Sequence, residues 1–503
     1  MAVLDIALQW LSSGSLLCLA GGLAAFLYFL TSTKRSICRL PPGPPPLPLI
    51  GNLNVVDLRM PFQSLMEKYG NIFTVHFGPR KTVVLAGYET IKEALLTHAE
   101  EFGGRAEIPI FQKITKGNGI GFSHGESWKT MRKFTLFTLR NFGVGKKTIE
   151  LRILKELNSF LPSRVKLAHF PWMPFDTKVI LNSAVSNVIC SILFGERFEY
   201  NDPVFLTLLK LINENTKLLG FYMNQLGLYN FYPSIGFLFG APRTVQRNVD
   251  ELNTFLQKFF QEHKQKFNEN NLTGFVDAFL MKQQQESRNP RTYFHNENLL
   301  FSTLDLFAAG TETTSTTVRW GLLLMMKYPE IQKMNKVIEP GQLPTLEDRK
   351  KMPYTDAVIH EIQRFANIVP MSVSRSTSRN VNFRGYVIPK VSVIPLLTSV
   401  LNDKLHWKTP DQFNPSHFLD RDGNFIRKEA FIPFSIGRRA CVGEGLAKME
   451  LFLFFAGLLR KFTFQPPPGV SKSDLDLTAD VGFTLTPMPH LVCAIPYESS
   501  KHV

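Results

Sequence analysis

The stretch that most constrains the fold is Phe434-Ser-Ile-Gly-Arg-Arg-Ala-Cys-Val-Gly443. Two glycines frame a single cysteine, and Arg438 and Arg439 stand just before it. A helical pattern follows at once over 444–461, with apolar residues at helical spacing. Cys441 therefore lies where a tight loop turns into a helix N-terminus. There the helix dipole and the unpaired amides favour a thiolate. Gly437 and Gly443 are expected to let backbone N–H groups approach the sulfur. An arbitrary cysteine is most often an inert core residue; the loop, the basic pair and the helix start together set this one apart.

Length alone suggests about three domains for 503 residues. The motifs below are spread from Trp128 to Cys441 and must meet at one place, which argues for one large, mostly helical domain. Lys and Arg number 57 against 42 Asp and Glu, a net charge of +15. That balance suits an anionic membrane surface or an acidic partner. No basic run interleaved with aromatics forms a recognisable module, so nucleic acid is not expected. The five cysteines are unclustered, without zinc spacing or a disulfide framework. No charged residue occurs from Ile6 to Thr33, long enough to span a bilayer. Lys34, Arg35 and Arg39 follow, whereas only Asp5 precedes, which places the N-terminus in the lumen and the rest in the cytosol. A cleaved signal peptide is the rival reading, weakened by the missing basic n-region. The sequon Asn271-Leu-Thr273 should then stay unused. The boundaries are an anchor over 1–33, a basic and proline-rich hinge over 34–48, and a catalytic domain over 49–503.

Residues 71–88 read as two strands around a Gly-Pro turn. Gly117-Asn-Gly-Ile-Gly121 lacks the third glycine of a dinucleotide loop, so electrons must come from outside the chain. Trp128 and Arg132 share one helix face at i, i+4 and can hold one carboxylate together. The same helix carries Lys129, Lys133 and Arg140, a candidate partner patch. Residues 220–239 are unusually aromatic, either plain core or a lid that also dips into a membrane. A long helical pattern over 297–328 contains Ala309-Gly-Thr-Glu-Thr-Thr314, poor helix material. Its hydroxyls can bond back to the helix carbonyls and open a kink. Glu361 and Arg364 stand at i, i+3, followed by Phe413-Asn-Pro-Ser-His-Phe418.

The ten-residue loop with Cys441 resembles the haem-binding loop of the cytochromes P-450, the haem-thiolate monooxygenases. The resemblance extends from the anchor to about Pro496. It is similar to microsomal chains of family two, the vertebrate xenobiotic-metabolising kind; Met352-Pro-Tyr-Thr-Asp-Ala-Val-Ile-His-Glu361 and Met449-Glu-Leu-Phe-Leu453 carry that assignment. It implies a mainly α domain with small β-sheets behind an N-terminal transmembrane helix in the endoplasmic reticulum. The cofactor is haem b, with NADPH and flavins acting only through a P-450 reductase partner and cytochrome b5 as a second electron donor. Cys441 is then the axial ligand of the haem iron. Arg105, Trp128, Arg132, Arg375 and Arg439 hold haem propionates, and Phe434, Gly437 and Gly443 shape the loop. Thr313 hydrogen-bonds dioxygen and Glu312 feeds protons. Glu361, Arg364 and His417, where many relatives have arginine, form a structural network. Ile108, Phe122, Asp305, Ala309, Thr313, Val369, Ser372, Val373 and Phe483 line a pocket for small lipophilic substrates: xenobiotics, fatty acids or steroids. Asp305 is the polar exception, available to a basic group on a substrate.

Three departures from the family pattern stand out. The chain is about five residues short between Ile331 and Pro340 and lacks one residue at 389–394, where a strand register could shift. Residues 160–175 look foreign to the pattern. They motivate a rival, a haem-binding membrane protein without turnover; a second rival is a reductase-independent haem-thiolate isomerase.

Overall fold

The computed structural model describes residues 40–53, 62–165, 173–220, 225–332 and 342–496, with positions 14, 18 and 20–23 near the N-terminus. Among the described residues no helix is long and apolar enough to cross a membrane; most of the anchor expected over 1–33 lies outside them. The short segment near 331–340 also falls mainly outside, as do residues 166–172 of the stretch 160–175.

Five helices position the site: α1 (Gly125–Asn141), α2 (Lys178–Leu193), α3 (Asn296–Lys327), α4 (Pro353–Ala366) and α5 (Glu444–Lys461). The central one is α3, 32 residues long. It starts where the His295 ring accepts the Asn298 N–H at 3.4 Å and ends before Pro329. Two glycines let its neighbours close in. A Cβ at Gly310 would lie 2.7 Å from Ile189 of α2, and one at Gly321 would lie 2.8 Å from Phe455 of α5 and 3.0 Å from Ile362 of α4. The helix runs unbroken through its threonines. Thr313, Ser315 and Thr317 turn their hydroxyls back to the carbonyls of Ala309, Thr311 and Thr313, each at 2.8 Å, so the ladder and the side-chain bonds coexist.

A five-stranded sheet flanks the helices: β1 (Ile72–Phe77), β2 (Arg80–Leu85), β3 (Gly104–Arg105), β4 (Arg375–Ser376) and β5 (Ser392–Pro395), in the order β1-β2-β5-β4-β3. The hairpin expected over 71–88 is β1–β2. β5 is held on both sides, parallel to β2 (Val83 opposite Val393) and antiparallel to β4 (Arg375 opposite Val393). Val393 and Ile394 are fully buried. β5 is thus a buried strand paired on both sides next to the point where the sequence lacks one residue of the family pattern.

The network of α4 fixes the loop scaffold around the site. All five N–H donors of Arg364 are used. Nε and one terminal nitrogen bond Glu361 at 2.8 and 2.7 Å. The remaining donors reach the carbonyls of Leu401 and Pro410, both at 2.9 Å, and Gln412 at 3.0 Å. Glu361 also accepts the Asn414 N–H at 2.9 Å and contacts His417 Nδ1 at 3.1 Å. His417 Nε2 accepts the Thr409 N–H at 3.2 Å, so Nδ1 carries the hydrogen and donates to Glu361 without the ring being charged. Trp407 lies beneath the guanidinium at 5.5 Å. Lysine at position 364 offers three donors instead of five and no planar fork. Arg364→Lys is expected to destabilise the fold by about 3–5 kcal/mol, read as a lower unfolding midpoint; an unchanged midpoint would contradict the structural role of this network.

Candidate functional site

Cys441 ends a loop that doubles back on itself. Its N–H donates to the Phe434 carbonyl at 3.0 Å, and Ala440 N–H donates to Gly437 at 3.0 Å. Gly437 has a φ of +78°, and a Cβ there would overlap the Leu95 carbonyl. This glycine therefore serves the turn and its packing, not an approach to the sulfur. The amides that do reach the sulfur are those of Gly443 and Glu444, at the start of α5. The expectation of a favoured thiolate needs correction. Burial pushes the thiol up, and the Glu444 carboxylate adds to it; the two amides and Arg132 offset this only in part. The sulfur is exposed by surface area yet enclosed by protein on most sides, as expected for an atom facing an interior space. A cation placed on the sulfur is what would make it a thiolate.

Four arginines surround that space. Arg105 and Arg375 sit opposite each other on β3 and β4. Arg105 donates to the carbonyls of Gly121 and Val373, both at 2.8 Å. Arg375 reaches Ser435 Oγ at 3.1 Å and the Ile436 carbonyl at 2.9 Å. Arg132, on α1, donates to the Ala440 carbonyl at 2.6 Å. Arg439 donates to Gly103 at 3.0 Å and lies 3.6 Å over the Trp128 ring. Trp128 thus stacks beneath a guanidinium rather than simply sharing a carboxylate with Arg132. Every one of these loops is pinned to the others by an arginine.

One carboxylate faces the cluster: Asp305, itself pushed up by burial, offsets the lowering of Arg105 only in part. Burial, then the neighbouring guanidiniums, pull Arg439 down to about 8 and Arg375 to about 9; burial and Arg132 pull Arg105 down to about 10. Arg375 Nε and one terminal nitrogen of Arg439 are buried without a hydrogen-bond partner. Buried cations are ordinarily paired. The residues therefore fit a group carrying more than one carboxylate and a soft cation beside the sulfur, as haem b does with its two propionates and its iron.

The facing wall is α3. Asp305, Ala309 and Thr313 recur every four residues and share a face. Ala309 is exposed although its helix is otherwise mostly buried. Asp305 already has one oxygen of its carboxylate engaged. Its Oδ2 accepts the N–H groups of Ile120 and Gly121 at 2.7 and 2.9 Å, which ties α3 to the loop gripped by Arg105. Burial raises this carboxyl to about 6 against the pull of those amides and Arg105. Glu312 lies on the flank of the same face. Its Oε1 accepts the Thr316 hydroxyl at 3.2 Å and its Oε2 has no partner; burial raises its carboxyl.

The other expected pocket residues lie on segments joined to this wall. Phe122 stacks on Phe111 at 3.5 Å, and Ile108 precedes the helix that carries Phe111. Ser372, at φ +53°, and Val369 form one turn, and Val373 is the carbonyl taken by Arg105. Phe483 caps the hairpin 479–487; its N–H donates to Thr216 at 3.0 Å, and Leu485 N–H donates to Ile368 at 2.9 Å.

One residue escaped the sequence reading. Glu450 is buried in α5, accepts the Thr314 hydroxyl at 3.3 Å and leaves Oε1 unpaired. A lone acid inside the apolar run 449–459 was the available signal. Burial raises its carboxyl to about 8. A raised carboxyl holds its proton in the folded state while the unfolded chain loses it, so stability falls as pH rises from about 4 to about 8. Glu450→Gln removes this slope. The variant should gain stability relative to the parent progressively over that range, by at most about 1.4 kcal/mol per pH unit, in thermal unfolding measured at several pH values; a parallel pH dependence of the two proteins would exclude a neutral, buried Glu450.

The family model described as Cytochrome P450 matches residues 41–494. Among curated relatives, "Cytochrome P450 2K4" of Oncorhynchus mykiss is 49% identical over 94% of this chain and 95% of its own length. "Cytochrome P450 2H2" of Gallus gallus is 45% identical over 93% and 96%, and "Cytochrome P450 2C23" of Rattus norvegicus 44% over 92% and 94%. The loop around Cys441, the four clustered arginines and these full-length matches agree: the chain belongs to the cytochrome P450 family, among the vertebrate family-two haem monooxygenases.

Proposed function

We propose that the protein is a membrane-bound monooxygenase that inserts one oxygen atom of dioxygen into small lipophilic molecules, with electrons from NADPH delivered by a P-450 reductase. The observation that carries this reading is the enclosed Cys441 sulfur beside Arg132, itself part of a cluster of four guanidiniums that burial and mutual repulsion leave underneutralised. Haem b, when bound there, supplies the activation of dioxygen, with Cys441 as its thiolate ligand. Arg105, Arg132, Arg375 and Arg439 hold its carboxylates. The chain's own work is to orient the substrate, exclude water and hold protons. Ala309 leaves room on the α3 face for a substrate, and the Thr313 hydroxyl stands beside it as donor and acceptor. Glu312, neutral more readily than an exposed carboxyl, stores the proton. With one oxygen of Asp305 held by the 120–121 amides, the remaining lining is mostly apolar, which favours lipophilic substrates such as xenobiotics, fatty acids or steroids.

The anchor over 1–33, the hinge over 34–48 and the domain over 49–503 belong to the same proposal, with the endoplasmic reticulum membrane as the site and the N-terminus lumenal. A second contact with lipid supports it. Leu47, Leu49, Ile50, Leu228, Ile235 and Leu238 are exposed large apolar side chains. The two segments are joined where Tyr232 Oη donates to the Leu49 carbonyl at 2.6 Å. Leu226, Tyr229 and Phe231 of the same aromatic stretch are buried, so it serves as core on one side and as an apolar surface on the other. Lys129, Lys133 and Arg140 are exposed along α1, a basic patch for an acidic electron donor such as the reductase or cytochrome b5.

Reconstitution with P-450 reductase, NADPH and a panel of lipophilic substrates tests the reading. Oxygenated product that depends on NADPH is expected; rearrangement without NADPH would favour an isomerase, and haem binding without product a non-catalytic protein. Cys441→Ser should lose at least about 100-fold in product formation. Thr313→Ala is expected to keep haem while diverting electrons to peroxide, seen as a lower ratio of product to NADPH consumed; an unchanged ratio would remove Thr313 from proton handling.

A further inference from the structure

Four buried polar atoms without a hydrogen-bond partner lie between α3 and the surface: Glu312 Oε2, Arg319 Nε, Thr177 Oγ1 and His490 Nε2. Left dry, each would cost roughly 1–3 kcal/mol; folds keep such groups where internal water completes their bonds. Backbone pairing brings them together. Phe175 and Val492 exchange N–H···O bonds of 3.1 and 3.0 Å in an antiparallel bridge. That bridge sets Asp176 and Thr177, at the entrance to α2, beside His490. Trp320, adjacent to Arg319, donates its indole N–H to the Leu485 carbonyl at 3.0 Å, which pins α3 to the hairpin preceding His490. Arg319 follows Glu312 by seven residues, about two turns, on one helix face. Exposure grades along the run: Asp176 is exposed, His490 intermediate, and Arg319 and Glu312 buried.

The tautomer of His490 is set. Its Nδ1 lies 2.8 Å from the Met488 carbonyl, so Nδ1 carries the hydrogen and Nε2 presents a lone pair inward. Burial lowers this imidazole and Arg319 adds to the effect, opposed by Asp176 and the Met488 carbonyl. The groups facing Glu312 are Lys178 from α2 and Arg319 from α3, with the polar Thr316 and Asn182. Asn182 is itself donating to Asn213 at 2.9 Å. Arg319 is flanked in turn by Asp176 and Glu312.

We propose that this run is the route by which Glu312 is reprotonated from solvent, with Arg319 as its positioning residue and His490 with Asp176 as its outer end. The inference rests on the reading that Glu312 supplies protons at the haem face. A solvent proton taken up at His490 Nε2 or on Asp176 passes through internal water to the Glu312 carboxylate. The imidazole returns to neutral, so one proton moves inward and no electrons move. Arg319 stays charged throughout; its guanidinium orders the water and limits how far burial raises Glu312.

The test uses full-length, haem-loaded protein in lipid, followed by infrared difference spectroscopy against pH. The Glu312 band is the protonated-carboxyl stretch that disappears in Glu312→Gln. In Arg319→Gln this titration should move up by about one pH unit, since a nearby positive charge is lost, and Arg319→Lys should restore it. In His490→Gln, deuterium exchange into the Glu312 band should slow about tenfold, one pH-unit equivalent of barrier. Unmoved titration in Arg319→Gln, or unslowed exchange in His490→Gln, overturns the route. If Arg319→Gln fails to fold, Arg319→Lys and His490→Gln still decide it. Fully coupled turnover by Glu312→Gln would instead overturn the proton-supplying role on which the route rests, whatever the infrared result.

Discussion

Burial of four neighbouring guanidiniums, those of Arg105, Arg132, Arg375 and Arg439, is the constraint on which the rest of this structure depends. Four guanidiniums packed around one space, three of them pulled well below their ordinary range, make an arrangement that the protein alone does not balance. Each arginine spends part of its donor set on a backbone carbonyl of another segment, from Gly103 to Ala440. The fold thus holds the charges in place before a dicarboxylate neutralises them. That is preorganisation: the cost of burying these charges side by side is carried by the folded chain and would be relieved by a bound dicarboxylate.

The remainder of the chain supports that cluster from two sides. Behind it, the Glu361–Arg364–His417 network uses every donor of one buried arginine to gather the carbonyls of residues 401, 410 and 412. In front, α3 is drawn close to α2 at Gly310 and to α4 and α5 at Gly321. Two buried acids, Glu312 and Glu450, each leave one oxygen unpaired near this helix. Burial favours their neutral forms.

What the sequence made legible was local. The loop at Cys441, the helix through Thr313, the hairpin over 71–88 and the Glu361–Arg364 pair can each be read from spacing within a few residues, and the resemblance assembled them into one fold. What it did not disclose depends on contacts between distant segments. Asp305 looks wholly available to a substrate until Ile120 and Gly121 are seen to take one of its oxygens. Gly437 looks like a door to the sulfur until Leu95 is placed against it. The thiol's upward shift follows from burial, which a helix-dipole argument leaves out. Glu450 and Arg319 sit in helical patterns that say nothing about which polar atoms lack partners. The deficit near 389–394 suggested a slipped strand; β5 beside it is paired on both sides.

The central claim is that Cys441 and the four arginines hold haem through its iron and its carboxylates. The most direct measurement is the carbon monoxide difference spectrum of the reduced, membrane-expressed protein. A strongly red-shifted Soret band is predicted, because a cysteine thiolate ligand would change the electronic structure of the haem. A Soret band at the ordinary position, with haem present in full amount, would contradict the account.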